Sequence, residues 1–122
     1  RFERLFMSYY LAFWKTKQTN KDNQAVYEKL ADEKLVKGLE NLPEKEILDE
    51  IAIVFKDWEQ ADRYTYESKD KKSGFQVSVT PQFFQAVCYH MKGDDMNKLI
   101  QVALEFGCRL YDPQTGERFD QA

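Results

Sequence analysis

The stretch Asp94-Asp-Met-Asn-Lys-Leu-Ile-Gln-Val-Ala-Leu-Glu-Phe-Gly-Cys-Arg-Leu-Tyr-Asp-Pro-Gln-Thr-Gly116 decides how this chain is read. Asp94 or Asp95 suits the N-cap of a helix, because a short carboxylate accepts from the free N–H groups of a first turn. Met96, Leu99, Ile100, Ala103 and Leu104 recur at helical spacing on one face. Gly107 stands where a left-handed residue closes a helix. Residues 108–111 suit a short strand, and residues 112–116 a turn in which Pro113 pre-sets φ. Helix, glycine, strand and turn make one half of an α+β sandwich.

Upstream, residues 7–14 read Met-Ser-Tyr-Tyr-Leu-Ala-Phe-Trp, with residues 1–6 as a leading extension or a lengthening of the same strand. Tyr9, Leu11 and Phe13 alternate with Tyr10, Ala12 and Trp14, so both faces are apolar, as in a central strand covered on two sides. Residues 15–20 are polar linker. Asn20 or Asp22 can cap a first helix carrying Val26, Tyr27 and Leu30 inward and stopping near residues 34–37. Gly38 and Pro43 bracket an irregular passage. Pro43 then opens a second helix, with Glu44 and Glu46 at the positive end of its dipole. Ile47, Leu48, Ile51, Val54, Phe55 and Trp58 form its inner stripe.

Residues 63–67 read as a half-exposed strand, and residues 68–74 as a solvated hairpin loop. Phe75, Val77 and Val79 alternate with Gln76, Ser78 and Thr80 in a strand with one wet face. Pro81 interrupts the ladder, and residues 83–91 resume it, with Phe83 and Phe84 as core. The expected order is β-α-α-β-β-β-α-β, a single sheet with helices packed against it. Within this α+β class a ferredoxin-like layout is the first expectation and a barstar-like one the second.

The 122 residues suffice for one domain with its own core. Residues 7–122 are read as that domain. A hydrophobic content of 43% with 15% aromatics argues for a folded globule. No apolar run reaches membrane-spanning length, and the start lacks the order of a signal peptide. Cys88 and Cys108 are then free thiols in a reducing compartment, which points to the cytoplasm.

Catalytic motifs are thin. The chain holds one histidine, His90. No cysteine or histidine pairs stand at zinc spacing, glycines are too scattered for a phosphate loop, and basic clusters are too sparse for a nucleic-acid footprint. Cys88 and His90 lie two apart and would share a strand face, a possible thiolate–imidazolium pair, but no third orienting group accompanies them. A buried thiol beside a strand-end histidine explains them as well.

Charge distribution says more. From residue 43 to 62 there are seven carboxylates against two lysines, a local net of −5 in a chain of net −3, which leaves +2 elsewhere. On a helical wheel Ile53 points away from the stripe centred on Ile51, with Asp49, Glu50 and Asp57 three or four residues away and Glu46 on the same side. An apolar residue ringed by carboxylates is the composition of a protein-binding patch: an anchor to desolvate, and charges that steer a basic partner. The competing account packs Ile53 under the first helix or under the passage at residues 39–42, with the acids as a solvated face. Tyr64 and Tyr66 are candidates to extend the patch.

The opening Met7-Ser-Tyr-Tyr-Leu-Ala-Phe-Trp14, with the closing Phe-Gly-Cys-Arg-Leu-Tyr-Asp-Pro-Gln-Thr-Gly after a helix, resembles a group of short bacterial proteins. These are similar to immunity proteins of polymorphic or contact-dependent toxin systems. The likeness spans both ends, and the middle matches only in order of elements. The lysine-rich loop at residues 69–72 and the long linker after Trp14 depart from it. The matching motifs are structural, so they carry over no functional residue.

The resemblance implies a non-enzymatic binding protein that covers a cognate protein toxin domain, for which a basic nuclease is a fitting class. No cofactor, metal, nucleic acid or membrane is expected, and the chain itself is expected as a monomer or weak dimer. The toxin-facing residues expected from the charge reading are Glu46, Asp49, Glu50, Ile53 and Asp57, extended by Tyr64 and Tyr66. A second reading is a regulatory or small-ligand-binding α+β domain that dimerises through strand edges. A third is a cysteine-dependent enzyme built on Cys88 and His90.

Overall fold

A computed structural model describes residues 8–16 and 22–119. The leading extension at residues 1–6, most of the polar linker and the alternative cap Asn20 lie outside the described residues. The elements in chain order are β1 (Ser8–Trp14), α1 (Asn23–Ala31), α2 (Glu44–Val54), β2 (Glu59–Asp62), β3 (Thr65–Glu67), β4 (Gly74–Thr80), β5 (Phe83–Tyr89), α3 (Gly93–Glu105), β6 (Arg109–Asp112) and β7 (Glu117–Arg118). The strands form one sheet ordered β2-β3-β4-β5-β1-β6-β7, with every neighbouring pair antiparallel. This is an α+β fold with a single sheet.

β1 lies inside the sheet, hydrogen-bonded to β5 on one side and β6 on the other. The crossover β1-α2-β4 leaves a gap that β5 fills, and β5-α3-β6 leaves one that β1 fills. Two interleaved split βαβ units give the ferredoxin-like order, the first of the two expected layouts. β2 and β3 extend one flank of this frame and β7 the other.

Alternation along β1 sorts the core into two layers. Leu11 and Phe13 join Phe84, Ala86, Cys88, Phe75 and Val77 beneath Ile47, Leu48 and Ile51 of α2 and Leu99, Val102 and Ala103 of α3. Ala12 and Trp14 join Phe83 and Tyr111 against Val26 and Leu30 of α1. Phe83 and Phe84 are both core, on opposite faces.

Several expected boundaries move. Asp22 caps α1 by accepting from the Gln24 N–H at 3.2 Å. That helix ends at Ala31, short of the expected stop, where Glu33 takes a left-handed φ of 60°. Pro43 occupies the cap position of α2 rather than its first turn. For α3 the cap position is Lys92, with no side-chain cap, and Asp94 and Asp95 sit in the first turn, where carboxylates favour the dipole instead. Its buried stripe runs through Leu99, Val102 and Ala103, so Val102 replaces Leu104. The single strand expected at residues 63–67 is a hairpin: β2 and β3 join through Arg63 and Tyr64, with a bulge before Asp62. Pro81 does not break a ladder but turns the β4–β5 hairpin, where Thr80 faces Phe83. β5 ends at Tyr89, before the expected Met91.

The Asp-Pro-Gln-Thr-Gly turn is fastened to β1. Asp112 Oδ1 accepts from the Gln114 N–H at 2.9 Å, and its Oδ2 accepts from the Tyr9 hydroxyl at 2.5 Å. Gly116, at φ 77°, donates to the Asp112 carbonyl at 2.7 Å. The Gln114 amide completes the attachment, accepting from Tyr10 N–H at 2.7 Å and donating to Tyr10 C=O at 3.0 Å. Gln82 treats Val36 the same way, at 2.8 and 3.1 Å, and so anchors the irregular passage after α1.

Tyr9→Phe leaves the buried Asp112 carboxylate one donor short, and the expected cost is about 1–3 kcal/mol. The measurement is a urea titration, in which the midpoint falls while the slope is unchanged.

Candidate functional site

The surface centred on α2 follows from its inner face. With Ile47, Leu48 and Ile51 buried, the helical period turns Ile53 outward, where it is 63% exposed. It does not pack under α1. Glu46 is exposed and Glu50 half-buried on the same outer side, whereas the helix ends at Val54, so Asp57, though exposed, lies past it and the wheel no longer places it beside Ile53. None of the three forms an ion pair among the described residues.

Asp49 is different. Its Oδ2 accepts from Lys45 Nζ at 2.8 Å and its Oδ1 from Arg63 at 3.3 Å. The Lys45 hydrogen bond, ahead of Arg63, holds this carboxyl below its ordinary range. Asp49 thus ties the β2–β3 turn to α2. That turn is fixed twice more: Tyr64 N–H donates to Asp62 Oδ1 at 2.8 Å, and Tyr64 C=O accepts from Val77 N–H at 2.9 Å. Tyr64 is left 44% exposed.

Tyr66 does not belong to this surface. It is 2% exposed and stacks on Phe75 with ring centroids 4.9 Å apart. The turn at Arg63 and Tyr64 interrupts the two-residue alternation on which pairing Tyr64 with Tyr66 depended. The pleat of β3 then directs Tyr66 into the core beside Phe55. The acidic segment is also less bare than its composition: Lys71 bridges Glu59 at 2.7 Å and Glu67 at 3.6 Å.

Cys88 and His90 do not form a pair. Cys88 is 1% exposed in the layer beneath α2 and α3, and burial pushes its thiol up to about 12. Nucleophilic cysteines require the opposite shift. His90 is exposed, beyond the end of β5, at a left-handed φ of 54°. The backbone turns before the histidine, so the shared strand face is lost. Burial likewise pushes Cys108 up to about 11. Among the described residues no three metal-ligating side chains cluster, and no helix is long and apolar enough to cross a membrane.

The sequence reading passed over Gly74. It faces Tyr89 across the β4–β5 ladder and Glu67 across β3–β4, on the side of the sheet away from α2, and lines a cavity of about 340 Å³. A glycine inside a strand was the signal available. No known family model matches the chain, and no curated protein sequence aligns with it significantly.

Alkaline behaviour follows from the buried thiols and from Tyr9, whose hydroxyl is raised to about 12, chiefly by its hydrogen bond to Asp112. The folded chain holds these protons where the unfolded chain gives them up, from pH about 9 for thiols and 10 for tyrosine. The contribution of these three groups is therefore constant below pH 9, and stability falls between pH 9 and 12, as pH-dependent urea midpoints will show. A thiol-exchange reagent at pH 8 should label neither cysteine until the protein is unfolded.

Proposed function

We propose that this chain is a toxin-neutralising immunity protein that acts by covering the surface of its partner, with the outer face of α2 as the contact. The observation that carries this reading is Ile53, 63% exposed on a rigid helix with Glu46 and Glu50 on its outer side, neither in an ion pair among the described residues, and with Asp57 exposed just past the helix end. Burying an isoleucine in a partner's apolar pocket stabilises a complex by about 1.5–3 kcal/mol. Surrounding carboxylates favour a partner rich in lysine and arginine and raise the encounter rate. A basic nuclease domain in the cytoplasm has that surface.

The contact set is Glu46, Glu50, Ile53 and Asp57, with Tyr64 presented beside them by the Asp49–Arg63 tether. One-to-one binding agrees with the form of the sheet margins. β2 is fully exposed but carries Glu59, Asp62 and a bulge, features that oppose pairing with a second sheet. Binding of this kind requires no bond-making group in the domain.

The test is co-expression with the product of the adjacent upstream gene, scored by rescue of growth and by co-purification. Glu50→Lys with Ile53→Asp alters two surface positions, so the melting temperature should hold while affinity falls about a hundredfold or more. Full protection by this double variant would move the contact elsewhere on the molecule.

A further inference from the structure

The sheet face opposite α2 is covered only in part. α1 packs over Trp14, Phe83 and Tyr111, while the rows through Tyr89–Gly74–Glu67 and Val87–Gln76–Thr65 lie beyond that layer. Gly74 floors the cavity of about 340 Å³ there, with Tyr89, Glu67, Gln76 and Thr65 around it. That volume lies within the range of small-molecule sites. A β-carbon at Gly74 would sit 3.1 Å from the Tyr66 carbonyl oxygen, so glycine here serves close backbone packing as well as the space above it.

A second, more open hollow adjoins it. Lys72 and Ser73 line both, and His90 and Lys92 line the second. The three lysines that line these hollows are not equivalent. Lys71 is engaged by Glu59 and Glu67, while Lys72 and Lys92 form no ion pair among the described residues. One carboxylate, Asp70, also lines the second hollow, accepting from Ser68 Oγ at 2.6 Å and the Lys72 N–H at 3.0 Å. The hollow is thus basic by a small margin.

We propose that these joined cavities bind a small planar ring carrying a single anionic group, of which a nucleoside monophosphate is the representative. The ring lies against Tyr89 over Gly74, since an aromatic face accepts a flat heterocycle and a glycine floor leaves it room. Thr65 and Gln76 supply donors and acceptors for its polar edge. Lys72 and Lys92 take the phosphate through charge-assisted hydrogen bonds, and the Ser73 hydroxyl, which donates to the His90 carbonyl at 2.9 Å, fixes the wall between the two cavities. Asp70 sets the upper limit on ligand charge and disfavours a triphosphate. The site lies on the other side of the sheet from Ile53 and does not depend on the toxin-binding role.

The test is an amide NMR titration of the whole protein with AMP, UMP, adenosine and inorganic phosphate, each at millimolar concentration, with ATP as a competitor. AMP or UMP should give saturable shifts at Thr65, Gly74, Gln76, Lys72 and Tyr89, adenosine weaker ones, and ATP no tighter binding than AMP. Lys72→Glu, at an exposed loop position, should weaken the monophosphate about tenfold and leave adenosine unchanged. Tyr89→Leu should weaken both, and Ile53→Asp neither. The proposal fails if no probe gives saturable shifts, if inorganic phosphate binds as tightly as the monophosphates, or if Lys72→Glu has no effect. Loss of toxin binding would leave these outcomes unchanged.

Discussion

The fold depends on β1 being apolar on both faces and hydrogen-bonded on both edges. A strand with large groups on alternate sides satisfies its backbone only between two neighbours and its side chains only between two layers. β5 and β6 supply the neighbours, α2 with α3 one layer, and α1 the other. Phe13 stacked on Phe84 at 4.8 Å and Trp14 against Tyr111 at 5.4 Å show the two layers closing over adjacent residues of the same strand. β1 must wait for α3 and β6 before both its ladders are complete, so the core forms through contacts between segments about a hundred residues apart.

This constraint leaves the two exteriors unlike. Over one face lie α2 and α3, and the outward side of α2 carries an apolar residue among carboxylates. Over the other, a nine-residue α1 covers part of a seven-stranded sheet and leaves polar rows and a glycine uncovered. Lysines of the β3–β4 loop serve both regions: Lys71 neutralises acids of the β2–β3 hairpin, and Lys72 turns to the opposite hollow. A single loop therefore divides its charge between the β2–β3 hairpin and the hollow on the opposite face.

Much of the frame was legible in the residues. Alternation in β1, the helical stripe of α2 and the Gly107 stop, at φ 80°, each follow from local periodicity or backbone freedom. The hairpin at Arg63 and Tyr64 was not, because its turn carries no glycine, proline or asparagine; its one local signal is Asp62 bonding the Tyr64 N–H, and the Asp49 tether comes from α2. Tyr66 was misplaced for the same reason: one undetected turn reverses every side chain after it. The outward direction of Ile53 could be read from a wheel, whereas the engagement of Asp49 could not, since Arg63 reaches it only through the fold. Gly74 acquires meaning only when Tyr89 and Glu67 are known to flank it.

Gln82 and Gln114 each grip one residue's backbone N–H and C=O with the two ends of a carboxamide, as an added strand residue would. Two loops are thereby sewn to the frame by neutral clasps. Such clasps do not weaken in brine, so high ionic strength will loosen the lysine–carboxylate contacts of the exterior well before it frees these loops. The domain keeps its outline under conditions in which its surface charges are screened.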